Sequence, residues 1–326
     1  MKRRGIGFAS SFQGVNYHFG HPDVSTVELH VTEDNGLLVR TAASDLGEGL
    51  EAMLLLVVSR SFNGFPIENI RWEGSNTNSP EAGGTGASRQ STLTGNAAQQ
   101  ACLSLQELLR SVASELLDVH PAEVLFDGSA AVAGVHRVPL EAVFAEARKM
   151  GVSLTVQGSF QAPQTTPLDF DGPGGRPVNQ FGYATHAAEV EVDTVTGEVR
   201  VIRLVAFHDA GVVLNRLGAT AQVEGAAVMG MGFALSEDYL LKDGRPVNVG
   251  FTNYLIPSIA DAPEIETHFV ETPSPIGPLG LKGLAEIPVS TVVPAVINAI
   301  YNACGVRVRH IPATPERVLS ALVEGE

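Results

Sequence analysis

Gly277-Pro278-Leu279-Gly280-Leu281-Lys282-Gly283-Leu284-Ala285-Glu286-Ile287-Pro288 is the stretch on which the reading of this chain turns. It is rich in glycine, nearly devoid of polar side chains, and carries one carboxylate, Glu286, into that apolar run. A carboxylate flanked by Ala285, Ile287 and Pro288 is partly desolvated, a setting that suits it to taking a proton near neutral pH. Glycines at 277, 280 and 283 let the backbone bend tightly or come close to a ligand. Taken alone, the stretch admits a structural alternative in which Glu286 caps a helix beginning near Ser290 or pairs with Lys282.

Working outward, Ser79-Pro80-Glu81-Ala82-Gly83-Gly84-Thr85-Gly86-Ala87-Ser88-Arg89-Gln90-Ser91-Thr92 leads into helical periodicity from about Thr94 to Leu117. Small residues, hydroxyls, one Arg and one Gln just ahead of a helix have the chemistry of a phosphate cradle, although the run is neither a P-loop nor Gly-x-Gly-x-x-Gly. A surface linker is the competing account. Nearer the start, Val27–Val31 and Leu37–Arg40 flank Asn35-Gly36, a strong hairpin signal, and an apolar helical stripe runs from Gly49 to Phe62. A second hairpin, Ala188–Asp193 with Val199–Leu204 around Thr196-Gly197, leads to a glycine-containing helix from Gln222 to Leu235. Hairpin followed by helix, twice, predicts an α+β protein of two lobes.

Between the lobes the pattern gives a short helix from Pro139 to Gly151, a strand over Val152–Val156 and a long loop from Pro163 to Pro177. Thr314 and Pro315 open a clean C-terminal helix. The run Gly5–Gly14 has no clear periodicity. His208-Asp209 reads as a structural pair at a strand end, because neither a nucleophile-elbow serine nor a second spaced His accompanies it.

With 326 residues and 44% hydrophobic content the chain can bury one large or two medium cores. No apolar run of about 18 residues is evident and no secretion signal opens the chain, so a soluble cytoplasmic protein, without membrane contact, is expected. The net charge of -15 argues against nucleic acid. Cys102 and Cys304 lie in helical apolar patterns and read as two buried thiols, too few for an iron–sulfur cluster.

The Gly277–Pro288 run, with Pro294–Tyr301, Gly305–Arg309 and Pro312–Leu319 after it, resembles the C-terminus of the molybdenum-binding subunit of the xanthine dehydrogenase/aldehyde oxidase family. In that family the glutamate of Lys-Gly-x-Gly-Glu-x-Pro is the catalytic base, and it maps onto Glu286; Ala285 stands where the family usually has glycine. The resemblance extends to Ala87, Ser88, Arg89, Gln90 and Ser91, which match the Ala-Ser-Arg-x-(Ser/Thr) loop around the pterin. It also covers Leu46, Gly47 and Glu48, at a helix start that meets the pterin, where Glu48 replaces a common glutamine. Gln222 matches the glutamine of Gln-Val-Glu-Gly beside the metal, and Phe8 matches the aromatic that stacks on flat substrates; core packing is the alternative for Phe8.

The resemblance implies the second half of the molybdenum-cofactor-binding domain. Residues 1–135 would form its first lobe, 136–183 a connecting segment, and 184–326 a second lobe with the glutamate. The Gly-Gly-Phe-Gly-type pterin loop of the first half is not in this sequence, which implies a split enzyme with a larger molybdenum-binding subunit, an iron–sulfur subunit carrying [2Fe-2S] clusters and an FAD subunit. The implied cofactor is molybdopterin with molybdenum, in its cytosine dinucleotide form, with no metal ligand from the protein itself. The implied chemistry is hydroxylation of an electron-poor carbon with water as oxygen source, on an N-heterocycle (purine- or nicotinate-like) or an aldehyde. A non-catalytic molybdopterin-binding or assembly protein is the other class consistent with the scaffold.

Overall fold

The structure is a computed structural model that describes residues 1–172 and 174–325; Pro173, within the expected Pro163–Pro177 loop, and Glu326 lie outside the described residues. Strand β1 (Lys2–Val15) precedes β2 (Val24–Val31), β3 (Leu37–Arg40), α1 (Leu50–Ser61), β4 (Ile70–Glu73) and α2 (Gln90–Leu117). Short strands β5 (Leu125–Phe126), β6 (Ala130–Ala133) and β7 (His136–Pro139) then lead to α3 (Leu140–Lys149) and β8 (Thr155–Gln161). The remainder is β9 (Gln180–Asp193), β10 (Val199–Asp209), α4 (Arg216–Leu235), a β11–β12 hairpin (Leu241–Lys242, Arg245–Pro246), β13 (Glu264–Phe269), α5 (Ile287–Cys304) and α6 (Pro315–Glu324).

Two compact units form, and they interleave along the sequence instead of following one another as the sequence suggested. Unit 1 takes Met1–Gln13, Phe181–Thr272 and Leu284–Glu326; unit 2 takes Gly14–Gln180 and Pro273–Gly283. The physical reason is strand pairing: β1 joins the sheet of β9, β10 and β13, a long-range pairing that no local pattern announces.

Unit 2 holds a sheet in the order β4-β3-β2-β8. Its centre is the expected hairpin, with Val31 opposite Leu37 around the Asn35-Gly36 turn. β4 runs parallel to β3, and β8 runs antiparallel to β2. Helix α2 packs on β8 so closely that a Cβ on Gly158 would sit 2.2 Å from Ala97 O and from Ala101 N.

Unit 1 repeats the plan. Its sheet runs β1-β9-β10-β13, with β9 and β10 antiparallel and β13 parallel to β10. Here the fourth strand is β1 and the packed helix is α5: a Cβ on Gly7 would lie 2.1 Å from Ala299 N and 2.4 Å from Ala295 O. In both units, therefore, a hairpin, a helix, a parallel strand and a second helix recur, with a glycine on the outer strand pressed against an i, i+4 backbone pair of that second helix. The two-lobe α+β expectation is met at the level of topology.

The Gly5–Gly14 run shows no periodicity in the sequence, and the structure explains why. β1 alternates in reverse: its inward positions, Gly5, Gly7, Ala9, Ser11 and Gln13, are small or polar, while Ile6, Phe8 and Phe12 on the outer face are 63%, 71% and 70% exposed. Other boundaries shift. The strand expected at Val152–Val156 is Thr155–Gln161, α2 begins at Gln90 rather than Thr94, and α4 begins at Arg216 behind an Asn215 cap. Thr314 caps α6 as expected, its side chain accepting from Arg317 N.

Helix α5 also corrects the sequence reading of apolar runs. Its 18 residues have a mean hydropathy of 1.4, long and apolar enough by length and composition to cross a membrane. In the fold that apolarity forms the core of unit 1, where Val292, Ala295, Val296, Ala299 and Ile300 are fully buried. Cys102 is buried on α2 and Cys304 half-buried at the end of α5, both free, and burial pushes both thiols up.

His208 pairs with a residue the sequence reading did not consider. Its Nε2 lies 2.7 Å from His186 Nε2, the rings meeting edge to face with centroids 4.9 Å apart, and both side chains are buried. Burial pushes His186 down to about 3, with His208 beside it adding to the effect, and pushes His208 down to about 4. Both folded values lie below the unfolded 6.5, so the stability this neutral pair contributes is present above about pH 6.5 and is lost as pH falls toward 4. Melting temperature is expected to drop over that interval, and more gently in His208→Gln; parallel pH profiles of the two proteins would show that the pair does not set the slope.

Candidate functional site

In unit 2 the loop before α2 is built from the inside by Arg89. Its guanidinium, 1% exposed, donates from Nε to Asp23 Oδ1 at 2.7 Å, from Nη1 to Ala82 O at 2.6 Å and Gly84 O at 2.9 Å, and from Nη2 to Val24 O at 2.8 Å. Nη2 also lies 2.6 Å from Asp23 Oδ1, and the group sits over the Tyr17 ring. Four of its five N–H donors hydrogen-bond internal acceptors, and the Asp23 carboxylate pairs with the charge. The Arg89 side chain thus organises the loop and does not point out of it as a phosphate clamp. Gln90, likewise buried, donates to Gly84 O and Thr85 Oγ1 and accepts from Thr94 Oγ1.

What this scaffold presents is backbone. Ala87 and Ser88 are consecutive residues in the left-handed region, at φ 52 and 49, immediately before the first turn of α2. The first N–H groups of a helix have no partners within it and favour an anion. Against this turn lies the Lys282-Gly283 end of the glycine-rich run: a Cβ on Gly283 would sit 1.9 Å from Ser88 O, so only glycine permits the approach. Lys282 itself is buried. The run is tied down by Asn96, which donates to Ile276 O at 2.8 Å, and by Ser274, whose Oγ accepts from Gly277 N at 2.8 Å.

Leu46, Gly47 and Glu48 also lie in unit 2, before α1. Asp45 accepts from Gly47 N at 2.8 Å, Gly49 N at 3.3 Å and Glu51 N at 3.1 Å. Burial pushes the Asp45 carboxyl up, but these backbone donors together outweigh it and hold it below the usual range. Glu48 folds back to accept from Leu46 N at 2.6 Å; burial raises its carboxyl, and Asp45 raises it further. Leu46 is 72% exposed.

Unit 1 carries Glu286, Gln222 and Phe8. Glu286 occupies the cap position of α5 without a side-chain capping bond, so capping is not its job. Its Oε2 accepts instead from Gln13 Nε2 at 2.8 Å. Gln222 is half-buried on α4. Phe8 stands 71% exposed on the outer face of β1, which rules out the core alternative for it. Gln13 and Asp23 are the residues that sequence reading passed over. Gln13 had one faint signal, being in step with Gly5 and Gly7; Asp23 had none.

Residues 1–263 match the molybdopterin cofactor-binding domain. The chain belongs to the molybdenum hydroxylase family. It is 32% identical over 306 residues to the 6-hydroxypseudooxynicotine dehydrogenase complex subunit gamma of Paenarthrobacter nicotinovorans, covering 90% of this chain and 37% of that protein. It is 29% identical to the aldehyde oxidoreductase of Megalodesulfovibrio gigas, over 98% of this chain and 32% of that one. The crystal structure of the aldehyde oxidoreductase from Desulfovibrio desulfuricans superposes with a TM-score of 0.82 at 32% identity, covering 98% of this chain and 32% of that chain. The chain therefore spans about a third of the length of these relatives and corresponds to their C-terminal part.

Proposed function

We propose that this chain is the molybdopterin-binding subunit of a split molybdenum hydroxylase that acts only with a partner subunit. Its substrate would be an N-heterocycle of the purine or nicotinate kind, or an aldehyde, hydroxylated at an electron-poor carbon with water as oxygen source. The partners are a larger molybdenum-binding subunit, a subunit with [2Fe-2S] clusters and an FAD subunit, in a cytoplasmic complex. A relative named as a subunit of a dehydrogenase complex supports the division of labour.

The residues present fit an anionic pterin cofactor. The Ala87–Ser91 loop leads into the first turn of α2, where the opening N–H groups of a helix favour an anion, with the Arg89 and Gln90 side chains holding the loop from behind. A dinucleotide extension, in the cytosine form, adds phosphate charge of the kind such a turn favours. Leu46, Gly47, Glu48 and Gln222 are the further positions that the family resemblance carries toward the cofactor. Among the described residues no group of three or more His, Cys, Asp and Glu side chains is placed to hold a metal. Bound there, the cofactor supplies oxygen-transfer and two-electron chemistry. Phe8 offers a flat apolar face to a planar substrate, and Glu286 accepts the proton released as the water-derived oxygen is added.

The observation that carries this reading is the Glu286 carboxylate at the start of α5, held there by Gln13 Nε2 at 2.8 Å. The test is metal analysis of the chain purified alone and with its co-purifying subunits. Molybdenum, iron and flavin are expected only in the complex, and stoichiometric molybdenum in the lone chain would refute the split-site reading.

A further inference from the structure

We propose that Gln13 is a positioning residue that holds the Glu286 carboxylate in its working orientation; this rests on the reading of Glu286 as the base. β1 lies along α5. Gly5 faces Ala299 and Ala303, where an added Cβ would come within 2.4 Å of backbone atoms, and Gly7 faces Ala295 and Ala299 as tightly. Four residues on from Gly7, Ser11 Oγ lies 2.6 Å from Thr291 Oγ1. Two residues further, Gln13 Nε2 reaches Glu286 Oε2 at 2.8 Å.

Strand side chains repeat every two residues, so these contacts are successive rungs of one ladder running toward the start of α5. The edge of the strand is fixed as well: Ile6 N donates to Asn302 Oδ1 at 2.9 Å, and Asn298 Nδ2 donates to Phe8 O at 3.1 Å. A strand pinned against helix backbone at its glycines cannot slide. Its last rung therefore delivers the Gln13 amide to Glu286 at a set position.

The chemistry of the pair suits a base. An ionised carboxylate only accepts, so the amide meets it with its NH2 end. A neutral donor fixes the direction of the carboxylate without adding a positive charge of its own. The small and polar inner face of β1, without which the strand would have been legible in the sequence, is thus what brings a side chain from the N-terminus to Glu286.

Gln13→Met keeps length and shape and removes the donor; Gln13→Asn keeps the amide one methylene short of reach and serves if the first variant misfolds. The direct readout is carbodiimide labelling of Glu286 in the full chain with an amine nucleophile, quantified by peptide mass spectrometry, with exposed Glu198 as internal reference. Labelling at Glu286 is expected to rise by about tenfold, the factor that a hydrogen bond to a charged group is worth, with Glu198 unchanged. In the assembled complex, kcat should fall by about the same factor at constant KM and molybdenum content. If labelling and turnover stay at wild-type levels while Glu286→Gln is inactive, the Gln13 proposal falls and the base assignment stands. If Glu286→Gln turns over normally, the base assignment itself falls and this proposal with it.

Discussion

Glu286→Gln in the assembled, molybdenum-loaded complex is expected to lower turnover by about 10²–10⁴-fold, the usual contribution of a positioned general base. The substitution keeps the shape of the side chain, and the new amide oxygen can still accept from Gln13. Because the Glu286 side chain makes no capping bond to α5, the helix loses nothing, and the melting temperature should stay near wild type. Molybdenum content and subunit assembly should also be unchanged. Turnover per bound molybdenum, measured with an artificial electron acceptor so that flavin steps do not mask the chemistry, decides the matter. Retention of more than about a tenth of wild-type turnover, outside the general-base range, would remove Glu286 from that role. Loss of activity together with loss of molybdenum would return it to a structural role.

The parts of this fold that were legible in the sequence are those whose signals are local. The Asn35-Gly36 hairpin, the Thr314-Pro315 helix start and the α2 stripe each depend on neighbours within a few residues, and each formed. What was not legible required distant partners. β1 hides its pairing because α5 backbone lies against its inner face, leaving room only for glycine where a strand ordinarily shows an aliphatic residue. The second hairpin extends back to Gln180 and forward to Asp209, beyond its alternating centre, for the same reason: its added length is buried by its neighbours in the sheet, not by its own pattern.

The site divides along the same line. Glu286 and the Ala87–Ser91 loop stood out because unusual residue types cluster in a short stretch. Their supports did not, because Gln13 is 273 residues from Glu286 and Asp23 is 66 from Arg89. In the sequence Arg89 reads as part of an anion-binding loop, whereas in the fold its charge is matched from within by Asp23.

That internal match sets the expectation for Arg89→Ala, which should act first on stability. Arg89 and Asp23 side chains are 1% and 3% exposed. Removing one partner of a buried ion pair typically costs about 3–5 kcal/mol, because the other charge stays buried without compensation. Arg71→Ala, at a pair with Asp34 whose side chains are 56% and 64% exposed, should cost no more than about 1 kcal/mol and serves as the control. Urea unfolding of the full chain measures both. The carbonyls of Ala82, Gly84 and Val24 lose their donor in the same variant, so the loop ahead of α2 loosens and any fall in cofactor content follows from that. A double-mutant cycle with Asp23→Ala should show that losing both partners costs less than the sum of the single losses, by about 0.5–3 kcal/mol. An Arg89→Ala chain with wild-type stability whose assembled complex retains no molybdenum would mean that the guanidinium serves the ligand directly. Unfolding at markedly lower urea, with Arg71→Ala unchanged, would place its work inside the fold.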